Sequence, residues 1–141
     1  MPTLTLIAGP NGAGKTCFSS HFVKQGLLNV MPVNIDGLEN SIDENKLPND
    51  FLRYERERRR EIDRIFKESC NYAIEKQADF SFECNLRKNQ VQNVGLFENA
   101  GYKLNLIYLW LDNVELSEKR VQKRVKEGRT LCRQEEYSRQ L

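Results

Sequence analysis

Short apolar runs separated by longer amphipathic stretches set the rhythm of this chain. Leu4, Leu6, Ile7 and Ala8 form the first run, and Thr16 to Gln25, with Phe18, Phe22 and Val23 apolar, follows as a helix that Gly26 stops. Met31 to Ile35 is a second run, closing in Asn34-Ile35-Asp36-Gly37, and residues 38–49 carry Asn40, Asp43, Asn45, Pro48 and Asn49 and read as a loop. From Asp50 to Gln77 the residues Ile62, Ile65, Phe66, Ser69 and Ala73 recur at helical spacing, which predicts one long helix or a broken one. Asp79 to Glu83 alternates apolar and polar as a third strand, and Lys88 to Asn99 reads as a helix ended by Gly101. Tyr102 to Leu111 is the fourth strand, too apolar in its second half to face water, with Trp110 read as core. A last helix covers about Val114 to Glu127, before a polar tail. Strands alternating with helices predict an α/β domain.

The turn between the first strand and the first helix holds the candidate chemistry. Gly9-Pro10-Asn11-Gly12-Ala13-Gly14-Lys15-Thr16 fits G-x-x-x-x-G-K-[ST], the phosphate-binding loop. The spacing has a physical reason: the backbone N–H groups must fold around a polyphosphate, and glycines tolerate the angles and the close approach. Lys15 would reach the β- and γ-phosphates, the Thr16 hydroxyl would ligate Mg²⁺, and the helix opening there aims its positive end at the same anion. The residues expected to hold ATP and Mg²⁺ are Gly9 to Thr16, with Cys17 as the next helical position.

Two acids stand where such a sheet binds ligands. Asp36 follows the second strand and is the candidate to meet a phosphate acceptor; a turn or N-cap aspartate is the plainer reading. Glu83 ends the third strand and could hold Mg²⁺ or orient the acceptor, against the alternative of a surface glutamate on a strand edge. Asp112 reads as a turn or helix-start residue. Arg120 and Arg124 fall side by side on the last helix, and Arg129, Arg133 and Arg139 follow it. They could clamp phosphate, although spacing alone favours a solvated basic face. The run RYERERRRE, from Arg53 to Glu61, mixes charges at helical spacing and is read as a solvated face.

The chain has 141 residues, the size of one domain, with residues 119–141 read as a lid or clamp segment. Its 22 basic and 20 acidic residues leave a net charge of +2, which favours neither a nucleic-acid nor a membrane partner. Four widely spaced cysteines and a single histidine suggest no zinc site and fit a reducing cytoplasm. No apolar run approaches the roughly 20 residues of a membrane span.

Several segments together carry a resemblance: IAGPNGAGKT at 7 to 16, VNID at 33 to 36, FSFECNL at 80 to 86, GYKLNLIYLWL at 101 to 111 and KRVQKRV at 119 to 125. In these the chain resembles the zeta-toxin family of P-loop kinases, in particular its compact predicted-ATPase branch. The resemblance implies a parallel sheet of about four or more strands with helices on both faces. It also implies transfer of the γ-phosphoryl group of ATP, with Mg²⁺, to a hydroxyl of a nucleotide sugar; the characterised members use UDP-N-acetylglucosamine. Lys15 and Thr16 then take nucleotide and metal, Asp36 looks like the general base, and Glu83 looks like the acid serving acceptor and metal. Arg120 corresponds to the first clamp arginine, and Arg124 and Arg133 are both open as the second. An antitoxin protein is a partner the resemblance allows. The chain departs from the family in Glu83-Cys84-Asn85, where Glu-Thr-Thr or Glu-Gly-Thr is usual, in Gly128-Arg129-Thr130, and in stopping early. A nucleotide-binding module without turnover and a kinase of nucleic-acid ends stand as the alternatives.

Overall fold

A computed structural model describes residues 1–127, apart from the side chains of Asn89, Val114, Leu116, Ser117, Val121, Arg124, Val125 and Glu127. The elements follow in the order β1 (Thr3–Ala8), α1 (Lys15–Lys24), β2 (Val33–Asn34), α2 (Phe51–Lys76), β3 (Phe80–Cys84), α3 (Lys88–Asn99), β4 (Lys103–Tyr108) and α4 (Val114–Glu127). The four strands form one sheet in the order β2-β3-β1-β4, and every pairing is parallel. Among the described residues no helix is long and apolar enough to cross a membrane.

Side-chain alternation along β1 and β3 divides the sheet into two chemically different faces. The register sets Leu4 beside Phe80, Leu6 beside Phe82 and Ala8 beside Cys84, and these residues share one buried cluster with Phe66, Cys70 and Ala73 of α2 and Phe97 of α3. Aromatic rings bind that layer together: Phe66 meets Phe82 edge-on at 5.1 Å, and Phe80 stacks on Phe97 at 5.3 Å. Tyr102 packs edge-on against Phe97, and its hydroxyl lies 2.8 Å from the carbonyls of both Ala73 and Ala78, tying the end of α2 to the start of β4. The intervening residues Thr5, Ile7, Ser81 and Glu83 project to the opposite face, where α1 lies. Helices therefore cover both faces. Adjacent strands β1 and β3 send their following helices to opposite sides, which opens a crevice at their carboxyl ends.

Local chemistry sets the helix limits. Asp50 caps α2 by accepting from the Arg53 N–H at 2.9 Å, and the 26-residue helix runs without a break until Gln77 turns left-handed with φ of 50°. The charged run on α2 pairs mainly at three-residue spacing, with Arg58 to Glu55, Arg60 to Glu57 and Arg64 to Glu61. Arg58 is also half-buried and pairs with Glu39, fastening the segment after β2 to the helix. That segment, expected to be loop, contains short 3-10 turns at Asp36–Ser41 and Glu44–Lys46.

The fourth strand differs from its sequence expectation. It ends at Tyr108, and because β4 is the outermost strand among the described residues, Leu104, Leu106 and Tyr108 are all exposed. Trp110 is 77% exposed rather than core. An apolar strand is buried only when both neighbours and a covering layer are present, and β4 has a strand partner on one side among the described residues.

Phe82 lies at the centre of the aromatic face and is fully buried. Its replacement by Ala should cost about 3–5 kcal/mol of unfolding free energy, while Tyr102→Phe should cost about 1–2 kcal/mol through its carbonyl partners. Urea denaturation of the two variants checks the ranking, and equal losses would refute it.

Candidate functional site

The loop after β1 is shaped by where glycine is required. Gly12 and Gly14 have φ of 80° and 83°, in the left-handed region that a Cβ disfavours. At Gly9 the reason is crowding, since a Cβ there would lie 2.6 Å from the carbonyl oxygen of Leu109. The loop closes through the Ala13 N–H to the Pro10 carbonyl at 3.2 Å, and the first turn of α1 closes through Phe18 N–H to Gly14 at 2.9 Å. Helix α1 therefore starts at Lys15, with its N–H groups facing the loop mouth. Lys15 Nζ donates to the carbonyls of Gly9 at 2.8 Å and Pro10 at 3.0 Å, and to Asn85 Oδ1 at 2.8 Å.

Glu83 comes to the same place from β3. It is only 6% exposed, and β3 lies between β2 and β1, so the surface, strand-edge reading of this residue does not hold. Thr16 Oγ1 donates to Glu83 Oε2 at 2.9 Å. Ser19 Oγ lies 3.1 Å from Glu83 Oε1 and 2.8 Å from the Lys15 carbonyl, so its one proton serves one acceptor at a time. Burial pushes the Glu83 carboxyl above the usual range. The Thr16 and Ser19 hydroxyls and the Lys15 charge oppose that shift, and the charge of Asp36 adds to it. Thr5, Ser19, Ser81 and Glu83 are the buried polar residues among those described, and the strand members all project toward α1. No buried side-chain polar atom among the described residues lacks a partner.

Asp36 is exposed and opens the short turn after β2, at the carboxyl edge of the sheet, where its charge is felt by Glu83. Arg120 reaches back from α4: its Nη1 lies 3.4 Å from the Gly12 carbonyl, and the residue is half-buried. That contact joins α4 to the loop and departs from a fully solvated helix face. The Arg124 side chain and all of Arg133 lie outside the described residues. Asp112 is exposed in the turn before α4.

Two site residues, Ser19 and Gln90, are not singled out by the pattern of the chain, and Asn85 stands out there only as a departure from the family. Ser19 lies four positions after Lys15 and three after Thr16, a helical spacing that puts it on the same face and could have revealed it. Asn85 lies two positions after Glu83 and turns its carboxamide to the loop, donating to Asn11 Oδ1 at 3.0 Å as well as accepting from Lys15. Gln90 on α3 accepts from the N–H groups of Asn85 at 3.0 Å and Arg87 at 3.3 Å. Between them Leu86 takes φ of 55°, a conformation costly for a leucine, so the chain turns sharply from β3 into α3. No sequence rule would have placed that turn.

The cradle fits a Mg-nucleotide. The first-turn N–H groups of α1 and the Lys15 ammonium stand at the loop, and Thr16 with Glu83 supplies hard oxygen donors 2.9 Å apart. No group of three or more His, Cys, Asp or Glu residues suited to a metal occurs among the described residues. Magnesium held chiefly by phosphates and water needs only one or two protein oxygens.

Proteins of known structure share this fold. A crystal structure of a candidate kinase from Chloroflexus aurantiacus j-10-fl superposes with a TM-score of 0.69 at 16% identity, covering 90% of this chain and 68% of that one. A chain of the Pnkp1/Rnl/Hen1 RNA repair complex superposes with a TM-score of 0.59 at 18% identity, covering 95% of this chain and 41% of that one. At these identities the likeness concerns the fold. No curated protein sequence matches the chain. The zeta toxin family model matches residues 1–139, nearly the whole sequence, and the chain therefore belongs to the zeta toxin family, with the P-loop kinase fold.

Proposed function

We propose that this protein is an ATP-dependent kinase that phosphorylates a hydroxyl group of a small acceptor, a nucleotide sugar being the favoured class. The observation that carries the reading is the convergence of Lys15, Thr16, Glu83 and Arg120 on one loop mouth, with Asp36 beside it. Lys15 holds the phosphate chain as a point charge, and Thr16 and Glu83 are the residues that would hold Mg²⁺. When bound, the metal ion would neutralise phosphate charge during transfer. Glu83 suits that duty because a buried carboxylate with only hydroxyl donors gains from an added cation. Asp36, exposed at the rim, is placed to accept the acceptor's proton as attack begins. Arg120 is the clamp, stabilising the charge that develops on the transferring group.

Incubation of the protein with γ-labelled ATP, Mg²⁺ and a panel of nucleotide sugars, free sugars and oligonucleotide ends tests the reaction. Label on a nucleotide sugar, lost in Asp36→Asn, is the expected result. Label on oligonucleotides alone would move the assignment to nucleic-acid ends, and tight nucleotide binding without transfer would leave a binding module.

Arg120 separates a working clamp from a structural contact. Arg120→Ala should hold Mg-ATP affinity within a few-fold and lose at least about 100-fold in kcat, since related arginine fingers contribute roughly 10³- to 10⁵-fold. An unchanged kcat on the acceptor found by the panel would rule out that role.

Glu83 adds a pH signature. Its carboxyl titrates above the ordinary range in the fold, so the folded state binds its proton more tightly than the unfolded chain does. The associated stability is fully present below the unfolded pKa and is lost as pH rises through the raised folded value. Glu83→Gln lacks this titration and should gain on the parent as pH rises above the ordinary carboxyl range. Urea midpoints of both proteins report the difference, and a gap that does not vary with pH would contradict it.

A further inference from the structure

The Lys15 ammonium carries three N–H donors, and it donates to the Gly9 and Pro10 carbonyls and to Asn85 Oδ1. Two of these belong to the loop backbone that carries Lys15. Their positions are set by the loop closure and by the packing of Gly9 against Leu109. Asn85 is different, because it arrives from the turn after β3, 70 residues away in sequence, on a side chain that can rotate. A phosphate oxygen approaching Lys15 needs one of the three donor directions, and the carboxamide is the acceptor that can yield it at least cost. Its own seat is well defined: the Asn85 N–H is held by Gln90, and its Nδ2 donates to Asn11 at the loop tip. The neutral carboxamide oxygen thus takes the place of a phosphate oxygen, without the charge that would hold Lys15 permanently.

We propose that Asn85 is a positioning residue that holds the Lys15 ammonium at the mouth of the nucleotide-free loop and yields it to the phosphates of the entering nucleotide. Lys15 then exchanges one hydrogen bond for another rather than moving from solvent into place, and the loop stays formed between turnovers. The bond to Asn85 exists only in the nucleotide-free state, so it opposes binding by its own free energy. This assignment rests on the nucleotide-binding reading of the loop.

Titration calorimetry and thermal melting of the full chain, with and without saturating Mg-ATP, test it on the parent, Asn85→Ala and Asn85→Asp. Asn85→Ala should bind Mg-ATP about threefold to tenfold more tightly. It should melt about 2–5 °C below the parent without nucleotide and at the parent's temperature with it. Asn85→Asp keeps the acceptor and adds charge, so it should melt no lower than the parent without nucleotide yet bind Mg-ATP more weakly. That variant carries the test if the alanine protein fails to fold. Asn85→Ala affinity equal to or weaker than the parent's would overturn the proposal, as would an equal loss of melting temperature in both states, the mark of a bond kept throughout. Failure of the parent itself to bind Mg-ATP would instead refute the kinase reading, and this assignment with it.

Discussion

A carboxylate taken out of water beneath α1 is the constraint on which the rest of the site depends. Glu83 would cost the fold several kcal/mol if buried alone, and its neighbours are arranged to offset that. The Thr16 and Ser19 hydroxyls donate to it, and Lys15 supplies a nearby positive charge. All three come from the first five residues of α1, so the start of that helix cannot rotate or slide without exposing an unpartnered oxygen. The glycine loop preceding α1 is thereby held from both ends, by β1 on one side and by the carboxylate of β3 on the other. Binding chemistry and folding chemistry use the same contacts here.

The opposite face follows another logic. Phe66, Phe80, Phe82, Phe97 and Tyr102 form an apolar layer whose one polar atom of consequence, the Tyr102 hydroxyl, meets two backbone carbonyls. β3 belongs to both worlds, with Phe82 facing the rings and the next residue facing the loop. A substitution at one parity acts on stability, and a substitution at the other acts on the site. The rigid aromatic layer lets a strained turn such as Leu86 persist next to the loop, since the strands around it are held independently.

The phosphate loop was legible because its chemistry forces a spacing that few other structures need, and the end of α3 was legible because a stop residue such as Gly101 acts locally. Asp36 and Glu83 could be placed at strand ends for the same reason, and the paired Arg58 could not, because its partner Glu39 lies in a segment with no periodic signal. Burial was the harder inference. The alternation in Phe80 to Glu83 suggested one wet face, yet Ser81 and Glu83 are buried, since an interior parallel strand is covered on both sides. In β4 the opposite held: its apolar residues implied an interior position, while strand order, which no single segment encodes, puts it outermost among the described residues. Asn85 was visible only as a departure from a family pattern, and its partner Lys15 became clear once β1 and β3 were neighbours.

The exposed stripe of Leu104, Leu106, Tyr108 and Trp110 has a consequence for the protein in solution. Apolar side chains on the face of an outer strand, as β4 is among the described residues, favour contact with another polypeptide at sufficient concentration. Self-association would then vary with protein concentration and respond to a lysine introduced at Leu106, while the nucleotide cradle at the carboxyl ends of β1 and β3 stays untouched. Purification yield and colloidal behaviour would follow the margin of the sheet, and the kinetics of nucleotide exchange would follow its carboxyl end.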